Sequence, residues 1–338
     1  MKRILVIRGG AIGDFIFTLP VFEALKMRDP DAEVDILGYS GIAELAVGRR
    51  HAANLRRVDG AEWAALFSPR SARLGEAGLG ELERRYLAGF DETYCVWPDG
   101  DGVIGENLLR AGSRKVVSVD PTPVEGKGVH VVDHIARQCE RAGLAIQYRE
   151  PRLYPSERDR RWVERYLRVS SAGDRPLLAL SPGSGSASKN WPADHYAAVA
   201  RHWVKRCGCA LIVSGPAEEK MAGELRRSLE EDGVFFLSNE PLPCVAATLE
   251  RCEAFIGNDS GITHMAAAVR TPTLAIFGRT NPDVWQPRAP RVKVLQPAPP
   301  GADLATLMPA EVLREVEALL RPPTLLRPPE QRSCEERE

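Results

Sequence analysis

Apolar runs of strand length alternate with amphipathic helical stretches almost from one end of the chain to the other, the pattern of α/β layers built on parallel sheets. In the first half, Ile4–Arg8 reads as a buried strand, Leu19–Arg28 as a helix with Pro20 in its first turn, and Val34–Leu37 as the next strand. A helix near Ala43–Val47, strands near Thr93–Val96 and Lys115–Val119, and a helix over Val131–Ala142 closed by Gly143 complete this half. The Arg-, Gly- and Glu-rich stretch Ala61–Gly89 is expected to be a flexible surface excursion. Tyr148–Ser156 contains Pro151 and Pro155 and has no period, so it is the predicted linker between domains 1–150 and 151–320.

The second half restarts the rhythm with helix Glu157–Val169, strand Leu177–Ser181, a Gly- and Ser-rich loop Pro182–Lys189 and helix Ala193–Arg206. Strand Ala210–Val213, helix Glu218–Glu231, strand Val234–Leu237 and a short helix near Cys244–Arg251 follow. Strand Ala254–Ile256, helix Gly261–Val269, strand Thr273–Phe277 and a last helix Pro309–Leu320 end the regular part. The tail 321–338 is rich in Pro, Arg and Glu without an apolar face and is expected to be disordered.

Length and composition narrow the class. At about 150 residues per domain, 338 residues make a prior of two domains. Apolar residues at 44% and charged residues at 27% are globular values, which excludes disorder and fibrous repeats for the body of the chain. Lys and Arg number 45 against 46 Asp and Glu, so the overall charge gives no reason to expect nucleic acid as a partner. The apolar run after Met1-Lys2-Arg3 is too short for a signal peptide, and no run approaches a spanning helix, so a cytoplasmic protein is expected. Seven cysteines without paired Cys-x-x-Cys spacing argue against disulfides or structural zinc, and six histidines without ligand spacing lead to the expectation of no metal site.

Three turns carry candidate chemistry. Arg8-Gly9-Gly10-Ala11-Ile12-Gly13-Asp14 follows the first strand, and its glycines let backbone amides approach a ligand. It is a near miss of the dinucleotide fingerprint, which needs glycine at position 8, although Asp35 stands where that fold keeps a ribose-binding acid. Asp14 at its end is either a helix cap or a carboxylate facing the ligand crevice at the strand ends. Pro182–Pro192 offers small residues, hydroxyls and Lys189 to a phosphate, or is an ordinary loop; it is neither a Walker loop nor a nucleophile elbow. Asp259-Ser260-Gly261-Ile262-Thr263-His264 runs from strand into helix, where the amides of Ser260, Gly261 and Ile262 form an anion site and His264 lies in the first turn. Phe277–Pro282 closes another strand with polar groups at the same edge. Asp99-Gly100-Asp101 matches a metal-holding pattern but reads better as a turn.

The strand through Gly13-Asp14, the Pro182–Trp191 loop, Asp259-Ser260-Gly261 with His264, and Ala275–Thr280, in that order, resemble glycosyltransferase family 9, the bacterial lipopolysaccharide heptosyltransferases. The resemblance covers about residues 1 to 320, with Val131-Val132-Asp133 also in register. It implies a GT-B architecture of two Rossmann-like domains facing across a cleft, acceptor on the first and nucleotide sugar on the second. It implies an inverting, metal-independent transfer with no cofactor, Asp14 as general base and Lys189 neutralising the departing diphosphate. Gly10, Gly13, Ser184, Asp259, Ser260, Gly261, Ile262 and His264 would contact substrate, with Glu218 or neighbouring Glu219 at the ribose. The implied donor is ADP-L-glycero-D-manno-heptose and the implied acceptor a lipid-linked glycan, which brings an expectation of peripheral membrane contact. Gly183-Ser184-Gly185-Ser186 replaces the family's threonines, and no acceptor-holding residue is chosen among Arg56, Arg57, Arg114, Lys115 and Lys127. The rival readings are an NAD-dependent oxidoreductase and a non-catalytic nucleotide-sugar-binding protein of the same fold.

Overall fold

The computed structural model of the chain describes residues 1–69, 78–124, 126–170, 172–229 and 233–321. Strands β1 (Arg3–Arg8), β2 (Glu33–Gly38), β3 (Asn54–Arg57), β4 (Glu92–Val96) and β5 (Val116–Val119) form an all-parallel sheet in the order β3-β2-β1-β4-β5. Between and after them run α1 (Ile12–Ile16), α2 (Leu19–Arg28), α3 (Ser40–Ala43), α4 (Glu81–Ala88), α5 (Val103–Arg110) and α6 (Val131–Arg141). A second parallel sheet holds β6 (Leu177–Ser181), β7 (Cys209–Ser214), β8 (Val234–Ser238), β9 (Ala254–Asn258), β10 (Thr273–Ile276) and β11 (Val292–Leu295), ordered β11-β10-β9-β6-β7-β8. Its helices are α7 (Glu157–Val169), α8 (Ala193–Arg206), α9 (Glu219–Ser228), α10 (Leu242–Glu250), α11 (Gly261–Ala268), α12 (Pro282–Trp285) and α13 (Pro309–Leu320).

The chain reverses its direction of travel between β1 and β4 in the first sheet, and between β6 and β9 in the second. Such switch points open a crevice at the strand ends, because the loops on either side depart toward opposite faces. The central strands are buried on both sides, as their continuous apolar runs demand: Ile4 to Ile7 of β1 and Leu178 to Leu180 of β6 have no exposure. Helix starts follow local chemistry. Ser156 accepts from the Asp159 amide while the Asp159 carboxylate accepts from the Ser156 amide, closing the start of α7, and His130 accepts from Val132 N at the start of α6.

The two halves meet through one apolar seam. Phe15, Ile16 and Phe17 of the α1 region, Leu153 of the inter-sheet segment and Met265 and Ala266 of α11 belong to a single buried cluster. Polar bonds fasten the seam on both flanks: Arg288 pairs with Asp133, and Arg49 with Asp159. Arg288, with Arg149 assisting, holds the Asp133 carboxyl down at about 2. In the inter-sheet segment, Leu153 N donates to the Ala268 carbonyl at the end of α11.

Several expectations are corrected. The helix near Ala43–Val47 lies earlier, at Ser40–Ala43, with turns following it. The predicted flexible excursion Ala61–Gly89 is anchored at both ends, since Trp63, Leu66, Leu79 and Leu87 are buried beneath the sheet; residues 70–77 lie outside the described residues. The sequence pattern also passes over β3, β11, α1, α4, α5 and α12. β3 is a short edge strand of mostly exposed polar residues, β11 is an edge strand of only four residues, and α1 and α12 are too short to show a period. The tail expected to be disordered lies, from residue 322 on, outside the described residues.

Candidate functional site

The three sequence-selected turns converge where the C-terminal edges of the two sheets face each other. On the first sheet, β1 delivers the chain into the Gly9-Gly10 turn and α1, with Asp14 in its first turn. Gly10 has φ +94°, and a side chain there would come within 2.9 Å of Asp14 Oδ2. The cap position belongs to Ala11, whose N–H donates to Asp14 Oδ2 at 2.9 Å, so Asp14 steadies the helix start without being its N-cap. The carboxylate remains 40% exposed.

On the second sheet, both loops at the switch point are tied together by a side chain the sequence reading left out. Asn258, at the end of β9 and wholly buried, accepts from Trp191 N at 3.0 Å and donates to the Pro182 carbonyl at 2.6 Å. Its signal in the sequence is a carboxamide closing an apolar strand. The staple brings Lys189 Nζ to 2.6 Å from Asp259 Oδ2, which is only 9% exposed. Ser184 Oγ lies 2.7 Å from both the Ser186 carbonyl and Asn190 Oδ1, so this hydroxyl holds the loop in shape. The Glu218 stem occupies the space where Gly183 would carry a side chain, and Glu218 Oε2 accepts from Gly215 N at 2.8 Å. Glu218 therefore lies against the Ser184 loop; the Glu219 side chain lies outside the described ones.

The halves touch at Gly13 and Gly261. A Cβ on Gly261 would stand 2.6 Å from Ile12 Cβ and 3.1 Å from Gly13 N, and one on Gly13 would stand 3.1 Å from His264 Cδ2. Only residues without side chains let the starts of α1 and α11 come this close, which places the Ser260, Gly261 and Ile262 amides beside the Asp14 turn. His264 is 5% exposed, packed edge-on against Phe17 at 4.6 Å, and its Nδ1 has no hydrogen-bond partner. Burial pushes its pKa down to about 4; His130 and Lys189 push the same way against the attraction of Asp259, so the ring is neutral near pH 7.

Other candidates have structural duties. Asp35 is buried mid-strand and accepts from Asn54 Nδ2 at 2.9 Å, far from the role of a ribose-binding acid at a strand end. Arg8, in the place of the fingerprint's first glycine, fills the turn with a guanidinium bonded to the Asp14 and Val96 carbonyls. Both observations count against the dinucleotide reading. The Asp99 carboxylate accepts from Ile104 N and Gly105 N at 2.9 Å each, fixing the turn before α5. Arg56 lies over the Tyr86 ring, while Arg57, Arg114 and Lys115 pair with Asp59, Asp91 and Glu92. Lys127 lines a cavity of about 690 Å³ with His134, Arg137 and Arg141. Gly278, Arg279, Thr280 and Asn281 line another of about 660 Å³ beyond β10. Among the described residues no group of His, Cys, Asp and Glu gathers as a metal site, and no helix is long and apolar enough to cross a membrane.

Two parallel sheets facing across their C-terminal edges make the GT-B architecture. Residues 122–305 match glycosyltransferase family 9 (heptosyltransferase), and the chain belongs to that family. It is 28% identical over 347 residues to lipopolysaccharide heptosyltransferase 2 of Escherichia coli K12, an alignment covering 94% of this chain and 98% of that one. Among solved structures, the family 9 glycosyltransferase of Veillonella parvula superposes with a TM-score of 0.76 at 20% identity, over 94% of this chain and 97% of the other. The E. coli ADP-heptose lipopolysaccharide heptosyltransferase II superposes with 0.73, also at 20%, over 95% and 98%. The protein is thus a glycosyltransferase acting from a nucleotide sugar.

Proposed function

We propose that this enzyme transfers heptose from ADP-heptose to a lipopolysaccharide core or related lipid-linked glycan, in one inverting displacement. The observation that carries the reading is the facing of an exposed carboxylate, Asp14, and a cationic, amide-lined turn, Lys189 with residues 260–262, across the Gly13–Gly261 contact. The domain before the linker would hold the acceptor and residues 151–320 the donor. The acceptor hydroxyl attacks the anomeric carbon as its proton passes to Asp14, and the bond from that carbon to the diphosphate oxygen breaks with its electron pair leaving on the diphosphate. Lys189 keeps two further N–H donors while paired with Asp259, and these with the α11 amides neutralise the leaving charge without a metal. Gly10 and Gly13 let the reacting groups approach the backbone closely, Ser184 shapes the donor loop, Glu218 takes the ribose hydroxyls, and neutral His264 supports the turn. The donor named in the relative's description supports ADP-heptose. A lipid-linked acceptor would bring the enzyme to the inner face of the cytoplasmic membrane as a peripheral protein.

Titration calorimetry with ADP, UDP, GDP and NAD, each with EDTA present, tests the donor. ADP binding that survives EDTA, followed by transfer from ADP-heptose to a heptose-deficient core with reversed anomeric configuration, is the expected result. Preference for UDP or GDP would replace the donor, abolition by EDTA would overturn metal independence, and binding of NAD alone would overturn the transferase assignment of the site.

A further inference from the structure

We propose that Arg8 is a positioning residue for Asp14, a buried clamp that fixes the turn from which the carboxylate works. The proposal rests on the reading of Asp14 as the general base.

Arg8 follows the apolar run Ile4–Ile7 at the end of β1 and is 4% exposed, an expensive place for a guanidinium unless its donors are satisfied. Burial pushes its pKa down, and the nearby Asp14 carboxylate opposes that. Its Nε and Nη2 donate to the Asp14 carbonyl at 3.2 and 2.9 Å, and its Nη1 donates to the Val96 carbonyl at 3.2 Å. Nη2 also stands 3.7 Å from Asp14 Oδ1. One planar fork thus ties the end of β1 to the end of β4 and to the first turn of α1, across the switch point of the sheet. Thr18 Oγ1 donates to the same Asp14 carbonyl at 3.1 Å. The residue is therefore gripped through its main chain while its carboxylate is 40% exposed, and the fork's donors are taken up by the Asp14 and Val96 carbonyls. A base held this way keeps its distance to the acceptor hydroxyl, where a misplacement of about 1 Å costs on the order of 100-fold in rate.

The test is a double-mutant cycle on transfer from ADP-heptose to a heptose-deficient core, with single-turnover rates, donor KM, ADP affinity and melting temperature for each variant. Arg8→Lys keeps the charge but loses the fork; kcat should fall roughly 10- to 100-fold with donor KM and ADP affinity within about twofold. In an Asp14→Asn background the same change should cost less than about twofold, because a residue acting only through Asp14 has nothing left to position. If Arg8→Lys fails to fold, by melting and ADP binding, Thr18→Val carries the same cycle with an expected kcat loss of about 3- to 10-fold. Wild-type kcat in the single variants, or losses that multiply with Asp14→Asn, would overturn the clamp while leaving the base in place. Normal turnover of Asp14→Asn by itself would overturn the base and the clamp with it.

Discussion

Asp14 and Asp259 both follow a central strand beside a switch point, Asp14 inside the first turn of α1 and Asp259 directly after β9 before the cap of α11, and they are kept in opposite conditions. The Asp14 carboxylate is 40% exposed, with a backbone amide as its hydrogen-bond donor and a guanidinium 3.7 Å away. Asp259 is 9% exposed and joined to Lys189 at 2.6 Å. A carboxylate that must accept a proton has to be reachable and not already neutralised, whereas one that holds a lysine in register has to be neither. On the proposed mechanism a strand-end loop would serve proton removal on one sheet and charge placement on the other, the difference lying in the partners each carboxylate is given.

The largest effect should come from breaking the open half. Asp14→Asn is expected to lower the transfer rate at least ~100-fold while ADP affinity, measured by calorimetry, stays nearly unchanged. Breaking the closed half should affect both quantities: Lys189→Ala leaves Asp259 unpaired, and a loss of about 10- to 30-fold in ADP affinity with a comparable loss in rate is expected. Unchanged values for both would remove Lys189 from the site. Forcing the halves apart is the next test. The added methyl of Gly261→Ala meets Ile12 Cβ at 2.6 Å and backbone at 3.1 Å, so a destabilisation of about 1–3 kcal/mol by denaturant unfolding is expected, with slower transfer.

The smallest effect concerns His264, whose native pKa of about 4 lies below the ordinary 6.5. The unfolded chain binds the proton first as pH falls, so this contribution to stability is whole above about pH 6.5 and declines toward pH 4. Between pH 7 and 5.5 the loss should be about 1 kcal/mol, and His264→Phe should flatten that slope in parallel unfolding series.

How far the chain could be read depended on where each element's partners lie. Leu177–Ser181, Glu157–Val169, Ala193–Arg206 and Pro309–Leu320 have the bounds their sequence predicts, since both-face burial, a serine cap and an N-terminal proline are local signals. β3 and β11 depend on a neighbouring strand for their conformation and carry no such signal. The site divides the same way. Asp14, Lys189 and Asp259 stand out as polar residues on turns after apolar strands, whereas Arg8 and Asn258 matter because of carbonyls at Val96 and Pro182, distant in sequence. Gly13 and Gly261 look like ordinary turn glycines until the two sheets are brought together, when each proves to be the space the other needs.

Helix α11 has its two ends in different employment: the turn at residues 260–262 begins it, and the Ala268 carbonyl near its close receives Leu153 N from the segment joining the sheets. Eight residues make a rod of about 12 Å, too short and too buried along Thr263–Ala268 to bend between those points. The amides at 260–262 and the segment joining the sheets are therefore held at one fixed spacing by a single rigid element.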